Sequence, residues 1–152
     1  MPLTYRSTKT WPHAVGLSCA FRQWRAESHC RFMHGYALSV RVEFEADQLD
    51  ERNWVVDFGG LKTFKAWLEA TFDHKTLVAA DDPDLEWFTL GASTGVIDLL
   101  VVPATGCEAF ARLILERAEA WLAEHDTSGR CRVARVELRE HDGNGAIVER
   151  TK

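Results

Sequence analysis

The chain has 152 residues, of which 46% are hydrophobic, and its 18 basic and 23 acidic side chains give a net charge of −5. This length and composition predict a single folded domain, residues 1–152, with a core that needs no disulfide bonds. The acidic balance argues against a nucleic-acid-binding protein, and no stretch approaches the ~20 apolar residues of a membrane span. Because the N-terminal region lacks the apolar core of a signal peptide, we expect a cytoplasmic protein with four free cysteines.

Alternating apolar side chains predict two β-strands in the first third of the chain. The first runs from Val15 to Phe21 and the second from His34 to Glu45, with a polar loop at 23–32 between them. The second alternation is long and places charged residues on one face. Such a pattern is typical of an antiparallel strand with one face exposed to water.

Apolar residues spaced by three or four predict two helices, Gly60–Phe72 and Cys107–Ala123. Asp57 is a candidate cap for the first, and a capping box of Thr105 and Glu108 is a candidate start for the second. The stretch 73–103 lies between them and has no clear period. Within it, Glu86 to Leu90 and Val96 to Val102 are interpreted as short strands or as an ordered insertion.

Two more strands are predicted near the C-terminus, Arg132 to Glu140 and Ala146 to Arg150, joined by the turn-forming sequence DGNG. The predicted fold is therefore α+β, an antiparallel four-stranded sheet with two helices on one face. Exposed sheet edges in such a fold are often covered by oligomerisation.

Two short segments contain residues suited to proton transfer. Cys30 lies in the polar loop just before His34, and a loop cysteine near a histidine can form a reactive thiolate. His34 can equally be a core-edge residue with a single hydrogen bond. Asp73 precedes His74 directly, so the carboxylate can orient the imidazole; the alternative is an exposed helix end where the histidine faces the helix dipole.

Glu140 follows an apolar row on its predicted strand, which consists of Ala134, Val136 and Leu138. A buried carboxylate needs hydrogen-bond donors, and the guanidine-like edge of a heterocyclic ligand would provide them. The alternative is that the strand has reached solvent at this point. Glu108 has a similar pair of interpretations, as a helix cap or as a ligand contact.

Five short blocks resemble, in the same order, the family of 6-pyruvoyl-tetrahydropterin synthases and their relatives, the 6-carboxytetrahydropterin synthases of queuosine biosynthesis. The blocks are Cys30–Tyr36 (CRFMHGY), Val55–Lys62 (VVDFGGLK), Phe72–His74 (FDH), Cys107–Ala111 (CEAFA) and Val136–His141 (VELREH). Each block is loose alone, and the ordered set is specific. Relative to that family, the stretch of about 80–103 looks like an insertion.

The resemblance implies the tunnelling fold, in which sheets of several protomers join into an oligomeric barrel, as trimers or hexamers, with the pterin between subunits. It implies a carbon–oxygen lyase acting on 7,8-dihydroneopterin triphosphate. It assigns proton transfer to Cys30, activated by Asp73 and His74. It assigns the pterin ring to Glu140, with Glu108 nearby.

The family also implies a zinc ion that polarises oxygen atoms of the substrate side chain and is held by three histidines. Aligning the strands places Phe21 and Tyr36 at two of those positions, so only His34 remains as a metal ligand. A catalytic zinc normally has three protein ligands. We therefore expect weak or absent zinc, with Tyr36 or Arg22 as a substitute hydrogen-bond donor. A rebuilt site would have to draw on other thiols and imidazoles, namely Cys19, His29, His13 and His141.

These observations leave two main functions open. The first is a divergent pterin synthase with altered or metal-independent chemistry, in which Cys30 is essential and Tyr36 contributes to substrate binding. The second is a pterin- or purine-binding homologue without catalysis, in which Glu140 matters and Cys30 does not. A purely structural oligomer is a third hypothesis, against which the set Cys30, Asp73, His74 and Glu140 argues.

Overall fold

The computed structural model describes residues 1–151, which form a mixed seven-stranded sheet and three α-helices. The strands are β1 (Tyr5–Trp11), β2 (Leu17–Phe21), β3 (His34–Ala46), β4 (Lys75–Ala79), β5 (Asp98–Val102), β6 (Cys131–His141) and β7 (Asn144–Glu149). The helices are α1 (Leu61–Phe72), α2 (Leu85–Ser93) and α3 (Cys107–His125). The strand order is β5-β4-β2-β3-β6-β7, and β1 pairs with β3.

The α+β class is confirmed, but the predicted four strands and two helices are too few. Strands β1 and β4 were not predicted. Of the two stretches interpreted as short strands or an insertion, Val96 to Val102 contains strand β5, whereas Glu86 to Leu90 lies in helix α2. The sheet is also not purely antiparallel, because β4 runs parallel to both β2 and β5. Strand β1 escaped prediction because its sequence, YRSTKTW, has no apolar alternation.

Strand β3 is the centre of the sheet and uses one edge for two neighbours. Its first half, His34–Leu38, pairs with β2, and its second half, 40–46, pairs with β1. Its other edge pairs with β6. Gly35 permits the close approach of β2, because a Cβ at this position would lie 2.5 Å from the carbonyl oxygen of Cys19. This pairing sets Cys19 opposite Tyr36 and Phe21 opposite His34.

The two faces of the sheet differ in chemistry. One face packs against α1 and α3 and forms the hydrophobic core, with large side chains that include Phe21, Phe44, Phe64, Phe110 and Trp121. The opposite face carries Glu43 and Glu45, which are 4% and 2% exposed. Both carboxylates are bound by arginines of the neighbouring strands.

The predicted helix caps are partly correct. The carboxylate of Asp57 accepts a hydrogen bond from the N–H of Gly59 at 2.8 Å, at the start of a short 3-10 helix that leads into α1. The capping box at α3 is wrong: the N-cap residue is Gly106, and the Thr105 hydroxyl instead donates to the Arg22 carbonyl oxygen at 2.6 Å. None of the helices within residues 1–151 has the length and apolar character needed to span a bilayer.

Candidate functional site

Three rings meet where β2 pairs with the start of β3. The ring centroids of Phe21 and His34 are 5.0 Å apart, those of Phe21 and Tyr36 are 6.1 Å apart, and those of His34 and Tyr36 are 5.4 Å apart. These are the three positions at which the resemblance implies zinc ligands. The register of the two strands therefore brings the positions together, and Phe21, which is fully buried, also packs edge-on against Phe110.

His34 is oriented by the loop that precedes it. Its Nδ1–H donates to the carbonyl oxygen of Phe32 at 2.7 Å. A neutral imidazole held in this way leaves Nε2 as an acceptor, free to take a proton or to bind a cation. The His34 side chain is half-buried.

Glu140 lies near the end of β6, where the pairing with β7 shifts between Arg139 and His141. Such irregularities redirect a side chain and are frequent beside active sites. A second register shift occurs in the pairing of β6 with β3. Because of it, the apolar row leading to Glu140 contains buried Val133 rather than the predicted Ala134. Glu140 itself is half-buried.

The Glu140 carboxylate contacts thiols rather than cations. The Cys107 thiol donates a hydrogen bond to it, and among residues 1–151 no Lys or Arg side chain forms an ion pair with it. Burial, followed by the Glu140 charge, raises the pKa of Cys107 and of Cys19 to about 12. In the sequence, Cys107 was identified only as the start of a helix, and its contact with Glu140 was missed. Its position next to Glu108, a candidate ligand contact, was the one indication that it lies near the site.

The Tyr36 hydroxyl is affected by the charges of both Glu140 and Cys30. Burial raises the pKa of the Tyr36 hydroxyl, and charges on Glu140, Cys30 and Cys107 raise it further. The Tyr36 hydroxyl therefore stays protonated at neutral pH and can donate a hydrogen bond. Of the predicted site residues, Cys30 and Glu140 both act on Tyr36 through their charges.

Cys30 and Glu108 lie at the rim of this group. Cys30 is half-buried in the short 3-10 helix His29–Arg31, where its N–H donates to the Ser28 hydroxyl at 3.4 Å. Glu108 is exposed in the first turn of α3, next to Cys107, and its charge also raises the pKa of the Cys107 thiol.

Asp73 and His74 form the predicted pair. The Nδ1–H of His74 donates to Asp73 Oδ1 at 2.7 Å, which leaves Nε2 of His74 as a proton acceptor. The His74 backbone has φ of 58°, in the left-handed region that residues other than glycine seldom adopt. The His74 side chain is 86% exposed.

This pair is separated from Cys30 within one protomer. The N–H of His74 donates to the Ser18 carbonyl oxygen at 2.6 Å, whereas the Cys30 carbonyl oxygen accepts from Gln23 at 2.9 Å. Ser18 lies within β2, whereas Gln23 lies in the loop that follows this strand. Among residues 1–151, the His74 ring bonds only Asp73. Among residues 1–151, no hydrogen bond joins the Asp73–His74 pair to Cys30, so activation of Cys30 by this pair stays a prediction.

The residues present do not fit a zinc ion with three protein ligands. Phe21 has no donor atom, and Tyr36 is a protonated phenol at neutral pH. Within the described part of the chain, no group of three or more His, Cys, Asp or Glu side chains is arranged to hold a metal ion.

Comparison with known proteins places this geometry in a family. The family model described as 6-pyruvoyl tetrahydropterin synthase matches residues 13–151. A 6-carboxy-5,6,7,8-tetrahydropterin synthase of Rickettsia typhi is 32% identical over 60 residues, which cover 39% of this chain and 44% of that protein. The corresponding enzyme of Rickettsia bellii is 30% identical over 60 residues, again 44% of its length. The match thus spans less than half of each curated relative.

Solved structures agree at the level of fold. An uncharacterized protein, WS1659, from Wolinella succinogenes has a TM-score of 0.80 at 22% identity, covering 98% of this chain and 99% of its own. The 6-pyruvoyl tetrahydropterin synthase of Plasmodium falciparum has a TM-score of 0.67 at 16% identity, covering 97% and 98%. Since the family model extends over most of the chain, the chain belongs to the 6-pyruvoyl tetrahydropterin synthase family.

Proposed function

We propose that this chain is a pterin synthase-like enzyme, related to the 6-pyruvoyl- and 6-carboxytetrahydropterin synthases, that acts on 7,8-dihydroneopterin triphosphate or a close relative. The observation that carries the proposal is Glu140, a half-buried carboxylate without a cation among residues 1–151, placed beside Tyr36. A pterin ring presents an amino group and adjacent ring N–H groups. A carboxylate accepts two parallel hydrogen bonds from such an edge.

Cys30 is proposed to move protons on the substrate side chain. The Cys30 charge acts on the Tyr36 hydroxyl, as does that of Glu140, and a thiolate is a competent base for an activated C–H proton. Tyr36 then faces the side-chain oxygens. Because its hydroxyl stays protonated, it can donate a hydrogen bond where negative charge develops on an oxygen.

Altered or absent zinc is part of the proposal. Phe21 provides no ligand, so we assign stabilisation of the oxyanion to hydrogen bonds rather than to a Lewis acid. Of the two substitute donors expected from the sequence, Tyr36 is available. Arg22 is not, because its guanidinium binds Asp82 and Asp84 at 2.6 to 2.9 Å.

A second copy of the chain is proposed to complete the site. The His74 ring is exposed and its Nδ1 is bonded to Asp73, so Nε2 is accessible to a Cys30 of a neighbouring protomer. This arrangement agrees with the barrel-forming trimers or hexamers that the family resemblance implies. We also propose that the reaction takes place in the cytoplasm and that the protein binds no nucleic acid.

The first test measures turnover. Purified protein is incubated with 7,8-dihydroneopterin triphosphate, with and without added zinc, and products are followed by mass spectrometry alongside metal analysis of the same sample. We expect release of the triphosphate by the wild type and none by Cys30→Ala. No product from the wild type under either condition would sink the enzymatic proposal.

The second test asks whether the site is shared. Cys30→Ala and His74→Ala are each expected to be inactive alone. When the two variants are refolded together or co-expressed, we expect a fraction of the activity to return. The reason is that some interfaces then combine the intact Cys30 of one variant with the intact His74 of the other. A Cys30→Ala/His74→Ala double variant mixed with wild type serves as the control for dilution. Absence of recovery, with oligomers present by light scattering, would place all catalytic groups in one protomer.

The alternative function is a non-catalytic pterin- or purine-binding homologue. The separation of Cys30 from His74 within one protomer favours it, since an isolated carboxylate site can bind without reacting. It predicts that Glu140→Gln weakens ligand binding while Cys30→Ala does not change any measured property of the wild type. Turnover that depends on Cys30 would exclude it.

A further inference from the structure

The loop that carries Cys30 has little regular structure of its own. Residues 22–33, here called the Cys30 loop, contain one turn and the short 3-10 helix His29–Arg31. Its backbone hydrogen bonds span three residues each, apart from the bond from Gln23 to Cys30, which closes the loop. A loop closed by one such bond needs contacts from outside to hold one conformation.

Residues 80–103, here called the 80–103 segment, supply such a contact through a buried ion pair. The Asp82 side chain is 1% exposed and accepts two hydrogen bonds from the Arg22 guanidinium, from Nε at 2.9 Å and from Nη2 at 2.6 Å. Arg22 also bonds Asp84 at 2.7 Å. A bidentate pair fixes the direction of the guanidinium as well as its distance.

A second contact lies on the surface beside the first. Asp81 accepts hydrogen bonds from Trp24 Nε1 at 3.2 Å and from Arg25 Nη2 at 2.8 Å. The Arg25 guanidinium lies over the Trp24 ring, 4.1 Å from its centroid. The first residues of the Cys30 loop are therefore bound by side chains that are distant in sequence.

Asp82 is itself firmly held. Its N–H donates to Ala79 at the end of β4, its carbonyl oxygen accepts from Leu85 at the start of α2, and its carboxylate accepts from the N–H of Asp84. The hydrogen bonds from Arg22 lower the pKa of Asp82, and the same bonds raise that of Arg22. The pair is thus charged throughout the neutral range and is fixed to both the sheet and a helix.

We propose that the acidic stretch Asp81–Asp84 clamps the Cys30 loop and that Asp82, acting through Arg22, is the positioning residue for the Cys30 thiol. The connection is short, because Arg22 precedes Gln23, whose N–H donates to the Cys30 carbonyl oxygen at 2.9 Å. The catalytic meaning of the clamp rests on the proposed function, in which Cys30 moves protons. The clamp itself is a property of the loop.

The test compares Asp82→Asn with a matched control, Glu119→Gln, which breaks another bidentate pair, with Arg150 on the far side of α3. Alkylation of Cys30 by iodoacetamide is followed by peptide mass spectrometry, and amide hydrogen exchange is measured across residues 23–33. In Asp82→Asn both rates should rise about tenfold, since the loop opens locally. Glu119→Gln should leave both rates at the wild-type level.

The other three cysteines report on the rest of the fold. Cys19, Cys107 and Cys131 are buried, and burial raises their pKa values to about 12, 12 and 11. They should stay unmodified in Asp82→Asn. The clamp would be overturned if Cys30 alkylation and amide exchange of the loop stayed at the wild-type rates. It would also be overturned if all four thiols reacted, because Asp82 would then stabilise the whole fold rather than the loop.

A milder variant tests the same idea if Asp82→Asn does not fold. Asp81→Asn removes only the exposed bonds to Trp24 and Arg25 and should raise Cys30 alkylation about threefold, because part of the loop start is released. A Cys30 rate equal to that of the wild type in this variant would then count against the clamp.

Activity separates the clamp from the proposed function. If the wild type turns over, Asp82→Asn should lower kcat about 10- to 100-fold with little change in KM, because the thiol is misplaced while the ring site is intact. If the wild type has no turnover but the loop responds as expected, the proposed function fails and the clamp stands. If the wild type turns over and the loop does not respond, the clamp alone fails.

Discussion

The sheet carries two kinds of carboxylate, and their surroundings differ. Glu43 on β3 is nearly fully buried and binds Arg6 at 2.9 Å and Arg135 at 3.1 Å. Glu140 on β6 is half-buried and bonds the Cys107 thiol, with no arginine or lysine among residues 1–151. A buried charge without a counter-charge is costly. The comparison teaches that a carboxylate suited to bind a ligand is recognised by the lack of a basic side chain paired with it, and not by its burial alone.

The largest effect on stability is expected at Glu43. Glu43→Gln removes the charge that two arginines share, and we expect a loss of about 2–3 kcal/mol in the free energy of unfolding, less than for a fully buried pair because Arg6 is half-exposed. Urea unfolding measures it. Pterin affinity of the folded variant should not change, and a loss of affinity equal to that of Glu140→Gln would remove the distinction between the two carboxylates.

Glu140→Gln should show the opposite pattern. Losing a charged acceptor should weaken binding of a dihydropterin by about 2 kcal/mol, or roughly 30-fold, measured by calorimetry. The free energy of unfolding should stay within about 0.5 kcal/mol of the wild type, because no cation loses a partner. Strong destabilisation without a binding defect would make Glu140 a structural residue like Glu43.

The unpaired charge of Glu140 should also be visible in alkaline unfolding. Cys107 has a pKa of about 12 in the folded chain against an ordinary value of 9.0. Its protonated form is therefore favoured by folding, so stability is full below pH 9.0 and falls as the pH rises towards about 12. Glu140→Gln should make this decline shallower but not abolish it, since burial is the larger cause. Urea titrations at several alkaline pH values test this.

The smallest effect is expected for Cys107→Ser, which keeps a donor to Glu140. We expect pterin affinity within about threefold of the wild type, because the carboxylate keeps its orientation. Cys107→Ala is the matched control that removes the donor, and it should weaken binding more than serine does. Equal affinities for the two variants would show that this hydrogen bond does not orient the carboxylate.

Much of the central fold was predictable, because long apolar periods specify it. Strand β3 and helices α1 and α3 lie close to their predicted bounds, and the ordered blocks indicated the family. Strand β1 was not predictable from period, since arginine–glutamate pairs with β3 hold one of its faces instead of apolar contacts. The parallel strands β4 and β5 are short, and short apolar runs do not distinguish strand from helix.

The candidate site was predictable in composition but not in geometry. The motifs pointed to Cys30, Tyr36 and Glu140, and the charges of Cys30 and Glu140 both raise the pKa of the Tyr36 hydroxyl. The relative position of Cys30 and His74 depends on two features. One is where the loop after β2 turns, and the other is which residue of β2 accepts the hydrogen bond from the His74 N–H. Those contacts are long-range backbone hydrogen bonds, which local sequence does not encode.

The left-handed backbone of His74 has a consequence for engineering this protein. With φ of 58°, the position would suit glycine or asparagine better than histidine, by on the order of 1 kcal/mol. Within residues 1–151 the exposed ring bonds only the neighbouring Asp73, and it contributes little to packing. Thermostability screening would therefore reward replacement of His74, and the melting curve would not report the loss of the imidazole's function. Libraries built for robustness should hold this codon fixed.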